Sequence, residues 1–563
     1  MKLSKKLFAL CLCVAMVLSL AACGSGDDDP SSSAEESNST TSSETVESGA
    51  VSEGSDFAPT EGGSAWFEGR DFSEPITISL ASVQIVDGKD YNNNDEFVKW
   101  WADTFNIQWE ITSLSFENWA ERLRIWINSD DMPDMCVWNY VQGEAINYVD
   151  QGLLKELPEG WTEQYPNVAK AQFSTPMGEM TNDLFDGDYF LFRPIFANNA
   201  PSEKISDHLS LYLRKDWAEA ADCEVKNVMT LPEFYDCLAN IKAADPGNVG
   251  ASFSPLVCRT GNLAELVQFN STYCGVSRSP FYVGEDGTYQ WGPASEDTLE
   301  ALKMMNQAYN DGLIDPEFYT IQDPDDLGEF YTTGTSAAII SDGMAWRMTE
   351  FDSHLSQDLG LKFEDTVANV TLVDADGNFH NQPSTNYWGT TIFSPHIENE
   401  KLDRILQMMD YSCTEEGQLL IRCGFQDYDW KYDENGEIVS LLEEGVTFRD
   451  KYVANPVYEN LMILSDDFQF QDPNYKKIFR DRTSEMYRER SANSTEETFP
   501  SEIDWTTTFF SSQAMNQASM TYADEYASLI VKEGDIEKNW QDWVDSKMPL
   551  IQPVLDELNA ELQ

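Results

Sequence analysis

Basic side chains are scarce in this sequence. Its 563 residues carry 36 Lys and Arg against 98 Asp and Glu, a formal net charge of −62. Such a field keeps a chain soluble and repels phosphate backbones and anionic lipid faces, which excludes nucleic acid as a partner. It also disfavours anionic small ligands unless a local basic pocket overrides it. Histidine is rarer still: His208, His354, His380 and His396 stand at neither metal nor triad spacing. There is no Gly-x-Gly-x-x-Gly, no Walker-type phosphate loop and no Gly-x-Ser-x-Gly elbow, so nucleotide binding and serine-hydrolase chemistry have no support. No Cys-x-x-Cys unit points to zinc. Asp374-x-Asp376-x-Asn378 opens like a calcium loop, but Gly377 is misplaced and position twelve is Thr385, so a solvated hairpin is expected. No cofactor and no metal is therefore expected. After residue 20 no apolar run is long enough to span a bilayer, which takes about 20 residues, and the body is expected to lie in water.

The chain begins with Lys2, Lys5 and Lys6, then an apolar run over residues 7–20, then Leu20-Ala21-Ala22-Cys23. A basic start, a short apolar stretch and small residues at the cut are the layout of a secretory signal peptide, expected over residues 1–22. Residues 23–65 are rich in Ser, Gly, Thr, Asp and Glu, with almost no large apolar side chain before Phe57. Such a segment buries too little apolar surface to offset its ordering entropy and is expected to be a disordered tether. A flexible chain of that length spans roughly 30–35 Å. Of the ten cysteines, Cys11 and Cys13 leave with the signal. Seven follow Cys23, an odd number that cannot all pair internally; one disulfide is possible, and its partners cannot be read from spacing.

The folded body is expected from Trp66 to Pro75 onward. Residues 76–80 alternate as a strand. Asp95 caps a helix whose apolar face is Phe97, Trp100, Trp101 and Phe105. Residues 107–111 read as a strand, 117–128 as a helix, 135–138 as a buried strand and 143–150 as a helix. This β-α-β-α-β-α order predicts a mostly parallel sheet covered by helices on both faces, an α/β class. Asp186-Gly187-Asp188 is expected to turn between two strands. Asp286-Gly287, Gly377-Asn378 and Asn435-Gly436 are expected at hairpin tips. Further helices are predicted over 215–220, 231–244, 296–311, 399–411, 414–422, 522–531 and 535–562, the last broken or kinked at Pro549 and Pro553. Aromatics are abundant, with 16 Trp, 23 Tyr and 30 Phe; most are expected in the core, but tryptophan at that level is more than a core needs and suggests flat apolar surfaces for a ligand.

Leu20-Ala21-Ala22-Cys23 resembles the lipobox of bacterial lipoproteins. That resemblance implies a diacylglyceryl group on Cys23 and an anchor in the outer face of the cell membrane. Several ordered stretches resemble extracellular solute-binding protein family 1, the substrate-binding lipoproteins of sugar ABC transporters, in its large Gram-positive type and distantly its maltose-binding type. They are Met132-Pro133-Asp134-Met135-Cys136-Val137-Trp138, Phe185-Asp186-Gly187-Asp188-Tyr189, Leu213-Arg214-Lys215-Asp216-Trp217, Gly312-Leu313-Ile314-Asp315-Pro316 and Glu415-Glu416-Gly417. The resemblance implies a two-lobed, periplasmic-binding-protein-like fold with interlobe hinge strands. The first lobe would comprise 75–195 and 386–425, the second 196–385 and 426–563. It implies a monomer that captures a carbohydrate, an oligosaccharide, between the lobes and delivers it to ABC permease subunits, without catalysis. The residues implied to touch ligand are Trp138, Trp346, Trp388 and Trp505 as stacking rings, and Asp342, Asn198, Asn386 and Asp87 as polar groups. Two other readings stay open, a surface glycoside hydrolase and a receptor for a non-sugar solute such as a peptide.

Overall fold

The computed structural model describes residues 64–562 apart from 86–87, 115–118, 139–141, 197–198, 258–259, 277, 321–332, 444–445 and 463–469. The expected signal peptide, Cys23 and the tether up to residue 63 lie outside the described residues; Ser64 and Ala65, expected in the tether, open a short helix, Ser64–Phe67.

Local chemistry sets the first layer. The Asp95 carboxylate accepts from the Val98 amide at 2.8 Å and starts the helix Glu96–Phe105, which ends on Asn106 at φ 49°. Phe97, Trp100, Trp101 and Phe105 follow the helical repeat and are all buried. This helix covers a five-stranded sheet of order β2-β1-β3-β12-β4, with β1 Ile76–Ser82, β2 Ile107–Ser113, β3 Met135–Trp138, β4 Leu191–Pro194 and β12 Tyr387–Phe393. β1 runs parallel to β2 and β3, whereas β12 is antiparallel to both β3 and β4. The returning strand thus sits inside the sheet, between β3 and β4, strands that both come far earlier in the chain.

The second sheet has the order β6-β11-β5-β10-β7, with β5 Leu209–Arg214, β6 Val228–Thr230, β7 Leu256–Val257, β10 Ala338–Asp342 and β11 Val367–Val373. β5 is antiparallel to both β10 and β11. Two short hairpins stand apart: β8 Phe281–Val283 with β9 Tyr289–Trp291, and β13 Trp430–Tyr432 with β14 Ile438–Ser440. A large core joins this second sheet to the helices Leu231–Ala244, Glu296–Asn310, Tyr522–Val531 and Ile536–Glu561. Cys223 and Cys237 form a disulfide that joins the loop after the helix Lys215–Ala220 to the helix Leu231–Ala244.

Four expectations change. First, the chain before Asp186 is a helix, Pro176–Phe185, with Thr175 as its cap and Pro176 in its first turn, so Asp186 ends a helix at φ 51° rather than linking two strands. Second, the turn at Gly377 has no returning strand. The Asp374 carboxylate accepts from the amides of Asp376 (2.9 Å) and Asn378 (2.7 Å), and the chain then runs on as a crossing segment. Third, the terminal helix Ile536–Glu561 continues through both Pro549 and Pro553. Trp540, Trp543, Val544, Ile551, Val554, Leu555 and Leu558 are buried along it, and that apolar area outweighs the hydrogen bonds lost at two prolines. Fourth, residues 446–462 were expected in the second lobe. Phe448, Tyr452, Val457, Tyr458, Leu461 and Met462 instead pack with Phe97 and Trp101 in the core of the first. The first lobe thus runs on to Met462, past the boundary expected at residue 425.

Candidate ligand-binding cleft

The lobes are joined by chain segments that leave β4, enter β12 and follow Met462. The first two are laced together. The Ile195 amide donates to the Asn386 carbonyl at 3.1 Å, and the Ser384 amide to the Ile205 carbonyl at 3.3 Å. The Asn386 side chain completes the lacing: its Oδ1 accepts from the Phe196 amide (3.1 Å) and its Nδ2 donates to the Phe196 carbonyl (2.6 Å). Asn386 was expected to bind ligand; its amide is committed to the hinge, and its φ of 55° suits a residue type that tolerates the left-handed region. Phe470, from the third segment, stacks on Phe196 at 5.8 Å between ring centres. Replacing Asn386 by Ala removes two hydrogen bonds and strains a positive φ, and is expected to cost about 2 kcal/mol. Asn386→Gly should recover the strain component only. Chemical denaturation of the two variants separates the contributions.

These segments bring together the C-terminal ends of β1, β3 and β4, the start of β12, the start of β5 and the C-terminal end of β10. Strand ends of open α/β sheets are where ligands bind. Trp388, the second residue of β12, is half-buried, and the Arg193 guanidinium lies 5.8 Å from its ring centre. Arg193 also donates to Gln84 Oε1 at 3.3 Å. Asp342 closes β10. Its Oδ1 is 2.5 Å from His208 Nε2 and its Oδ2 is 3.9 Å from Arg347, so its carboxylate is held by side chains of its own lobe. Trp346 is 39% exposed at the start of the next helix, with the Arg347 guanidinium 4.4 Å over its ring. Register places the Trp138 backbone opposite Thr390 at the end of β3. Trp505 begins a short helix capped by Asp504, stacks on Phe509 at 5.6 Å, and packs against the first-lobe cluster containing Phe190 and Phe192. Asn198 and Asp87 lie outside the described residues.

Among the described residues, two sizeable cavities are walled by both lobes. One, of about 890 Å³, has Trp346 and Lys362 on one side and Phe448, Arg449 and Glu459 on the other. Glu459 is only 4% exposed. Arg449 Nε donates to it at 3.2 Å, a second Arg449 nitrogen contacts Oε2, and Arg422 lies 3.6 Å away. Burial pushes this carboxyl up, but the Arg449 and Arg422 charges outweigh it and hold it below the ordinary glutamate value of 4.5. Asp472, on the same wall, is pushed up by burial. The second cavity, of about 370 Å³, is lined by Met177 and Tyr387 of the first lobe and by Tyr273, Arg278 and Phe281 of the second. Tyr273 stacks on Tyr282 at 4.7 Å with ring planes 15° apart. Burial raises the Tyr387 hydroxyl to about 12 against a smaller opposite pull from Arg278. Sequence reasoning missed Tyr273, Arg278 and Tyr387. The first two stand in a loop without periodicity, and Tyr387 reads as one more strand residue beside Trp388.

Aromatic faces beside hydrogen-bonding groups, set between two lobes joined by a laced hinge, suit a ligand with both apolar faces and many hydroxyls. The arrangement permits closure around such a ligand. No family model matches the chain. A stretch of 220 residues is 24% identical to the fructooligosaccharide ABC transporter substrate-binding protein FusA of Streptococcus pneumoniae, covering 38% of this chain and 40% of that protein. The match thus spans well under half the length of this relative. The structure of a FusA EF-hand mutant in complex with fructo-nystose superposes with a TM-score of 0.60 at 16% identity, over 86% of this chain and 99% of that one. Alginate-binding protein AlgQ2 without calcium ion gives 0.59 at 15% identity, over 87% and 98%. An HMO-binding solute-binding protein from Bifidobacterium longum infantis gives 0.58 at 15%, over 87% and 99%. The chain therefore has the two-lobed α/β fold of the solute-binding proteins of sugar ABC transporters.

Proposed function

We propose that this protein is the substrate-binding subunit of an ABC importer, that it captures an oligosaccharide between its lobes, and that it presents the closed form to permease subunits. The observation that carries this reading is the pair of aromatic-walled cavities between the lobes, beside the laced crossing segments. Closure is favoured because only the closed state touches ligand from both sides. The likeness in fold to proteins named for fructooligosaccharide, alginate and HMO binding supports a carbohydrate ligand. Binding without turnover is expected, since the roles assigned to these side chains are stacking and hydrogen bonding. Trp138, Trp346, Trp388 and Trp505 are proposed as ring surfaces and Asp342, Asn198 and Asp87 as polar contacts. Among the described residues, no helix is long and apolar enough to cross a membrane. Attachment through lipidated Cys23, as a monomer on the outer face of the cell membrane, completes the proposal.

A thermal-shift screen of mono- and oligosaccharides tests it, because a ligand that binds only the folded state raises the melting point. A shift with a peptide pool and none with any saccharide would overturn the carbohydrate assignment. Trp346→Ala is expected to weaken the saccharide found by about tenfold, the loss of one stacking face, without lowering the melting point of the free protein. Cys23→Ala is expected to move the protein into the medium with its ligand affinity unchanged; retention on cells would refute the anchor.

A further inference from the structure

The arginines around the two interlobe cavities differ in one respect. Arg347 pairs with Glu350 at 2.6 Å, and Arg422 and Arg449 both pair with Glu459. Arg278 makes no ion pair among the described residues. Among the described residues its one hydrogen bond is a 3.3 Å donation to Ser384 Oγ, and its Nε is buried with no partner among them. A guanidinium carries five N–H donors in a rigid fork, so most of this one is unused.

The surroundings of Arg278 sharpen the point. It lies in the 370 Å³ cavity beside Tyr273 and Tyr387. Two acids share that lining, Glu502 and Asp504. Asp504 is occupied elsewhere: both its oxygens accept from the Tyr289 hydroxyl, at 3.2 and 3.1 Å, and Oδ1 accepts from the Thr507 amide at 3.2 Å. Arg404 and Arg480 likewise make no ion pair among the described residues, but they are spent on backbone carbonyls, whereas Arg278 lines a cavity between the lobes. Leaving a charge unpaired in a partly dry cavity is costly, and a ligand carboxylate would relieve it through a bidentate, charge-assisted pair.

We propose that the cavity around Arg278 is a subsite for the carboxylate of an acidic sugar unit, a uronic or ulosonic acid, with Tyr273 supplying the ring on which that unit packs. The inference rests on the carbohydrate reading above and narrows it. The guanidinium belongs to the second lobe, leans on Ser384 of a crossing segment and faces Tyr387 of the first lobe. A carboxylate held there touches both sides of the hinge and favours closure.

The test is titration calorimetry of the full chain against acidic oligosaccharides (oligogalacturonate, aldobiouronic and sialylated glycans), their carboxyl-reduced counterparts and neutral oligosaccharides. At least one acidic glycan should bind, and reduction of its carboxyl group should weaken binding roughly ten- to a hundredfold. Arg278→Met should reproduce that loss for the acidic glycan and leave the reduced one little changed. Arg278→Lys should recover part of it, since it keeps the charge but not the fork. Far-ultraviolet circular dichroism and melting of each variant report folding separately. If the tightest ligand is a neutral glycan unaffected by Arg278→Met, the acidic subsite is overturned while the carbohydrate reading stands. If no glycan binds the folded protein, both are overturned.

Discussion

Trp101→Ala is expected to cost roughly 3–5 kcal/mol, the range for removing a fully buried large aromatic. Trp101 has no exposed surface. Its ring stacks on Tyr458 at 5.0 Å and on Phe105 at 5.3 Å, and meets Trp100 edge-on at 5.2 Å. Alanine would leave a cavity at the centre of that cluster, and its rings are too large to collapse into the space. Part of the tryptophan works against stability: its Nε1 is buried with no hydrogen-bond partner. Trp101→Phe removes that group along with some packing, so it should cost only about 1 kcal/mol. Urea denaturation of the two variants measures both values. Equal losses would show that the aromatic volume is not what the first lobe depends on.

Glu459→Gln is expected to cost about 3 kcal/mol at neutral pH. Breaking a buried ion pair from one side generally costs 3–5 kcal/mol; the lower end applies because Arg449, with a side chain 57% exposed, is free to turn to water. Arg422 and Arg193, 16% and 2% exposed, have no such escape. The pH dependence follows from the depressed carboxyl of Glu459. Its contribution is fully present above the unfolded glutamate value of 4.5 and is lost as pH falls through the lower folded value. The stabilities of wild type and Glu459→Gln should therefore converge as pH drops below 4.5. Denaturation midpoints measured from pH 7 to pH 3 check this, and a constant gap across that range would refute it. Asp472 acts with the opposite sign: burial raises its carboxyl, so its charged form opposes folding at neutral pH.

Local signals carried most of the architecture. The Asp95 cap and the 97-100-101-105 spacing locate a helix because both are short-range facts. Strands at 76–80, 107–111 and 135–138 were legible for the same reason, the first two running on to Ser82 and Ser113, and their alternation with helices indicated parallel pairing. The misplacement of residues 446–462 shows where this fails. A helix at Asn455–Glu459 presents the same apolar pattern to either lobe, and only three-dimensional packing against Phe97 and Trp101 decides which. Helix continuity through Pro549 and Pro553 was hidden likewise, since it depends on the long apolar face docking on a distant core. In the cleft, Trp346 and Trp388 drew the expectation of ligand contact because a tryptophan at a strand end is conspicuous. The hinge lacing by Asn386 was hidden because an amide that laces a hinge and one that grips a hydroxyl look alike in a sequence. Arg278 was invisible because its distinguishing property is a missing partner.

The position of β12 sets the order in which this molecule can be built. Its slot lies between β3 and β4, so a nascent chain that has not reached Phe393 holds a first sheet with a gap down its middle. The second lobe is equally late, since its core waits for the helix that ends at Glu561. The first lobe needs residues as far apart as Ile76 and Met462 and the second needs the helix Ile536–Glu561, so no single cut of the gene releases one lobe intact. Pairings this distant in sequence form slowly. A fold whose central slot fills this late leaves the chain time to be carried elsewhere before it sets.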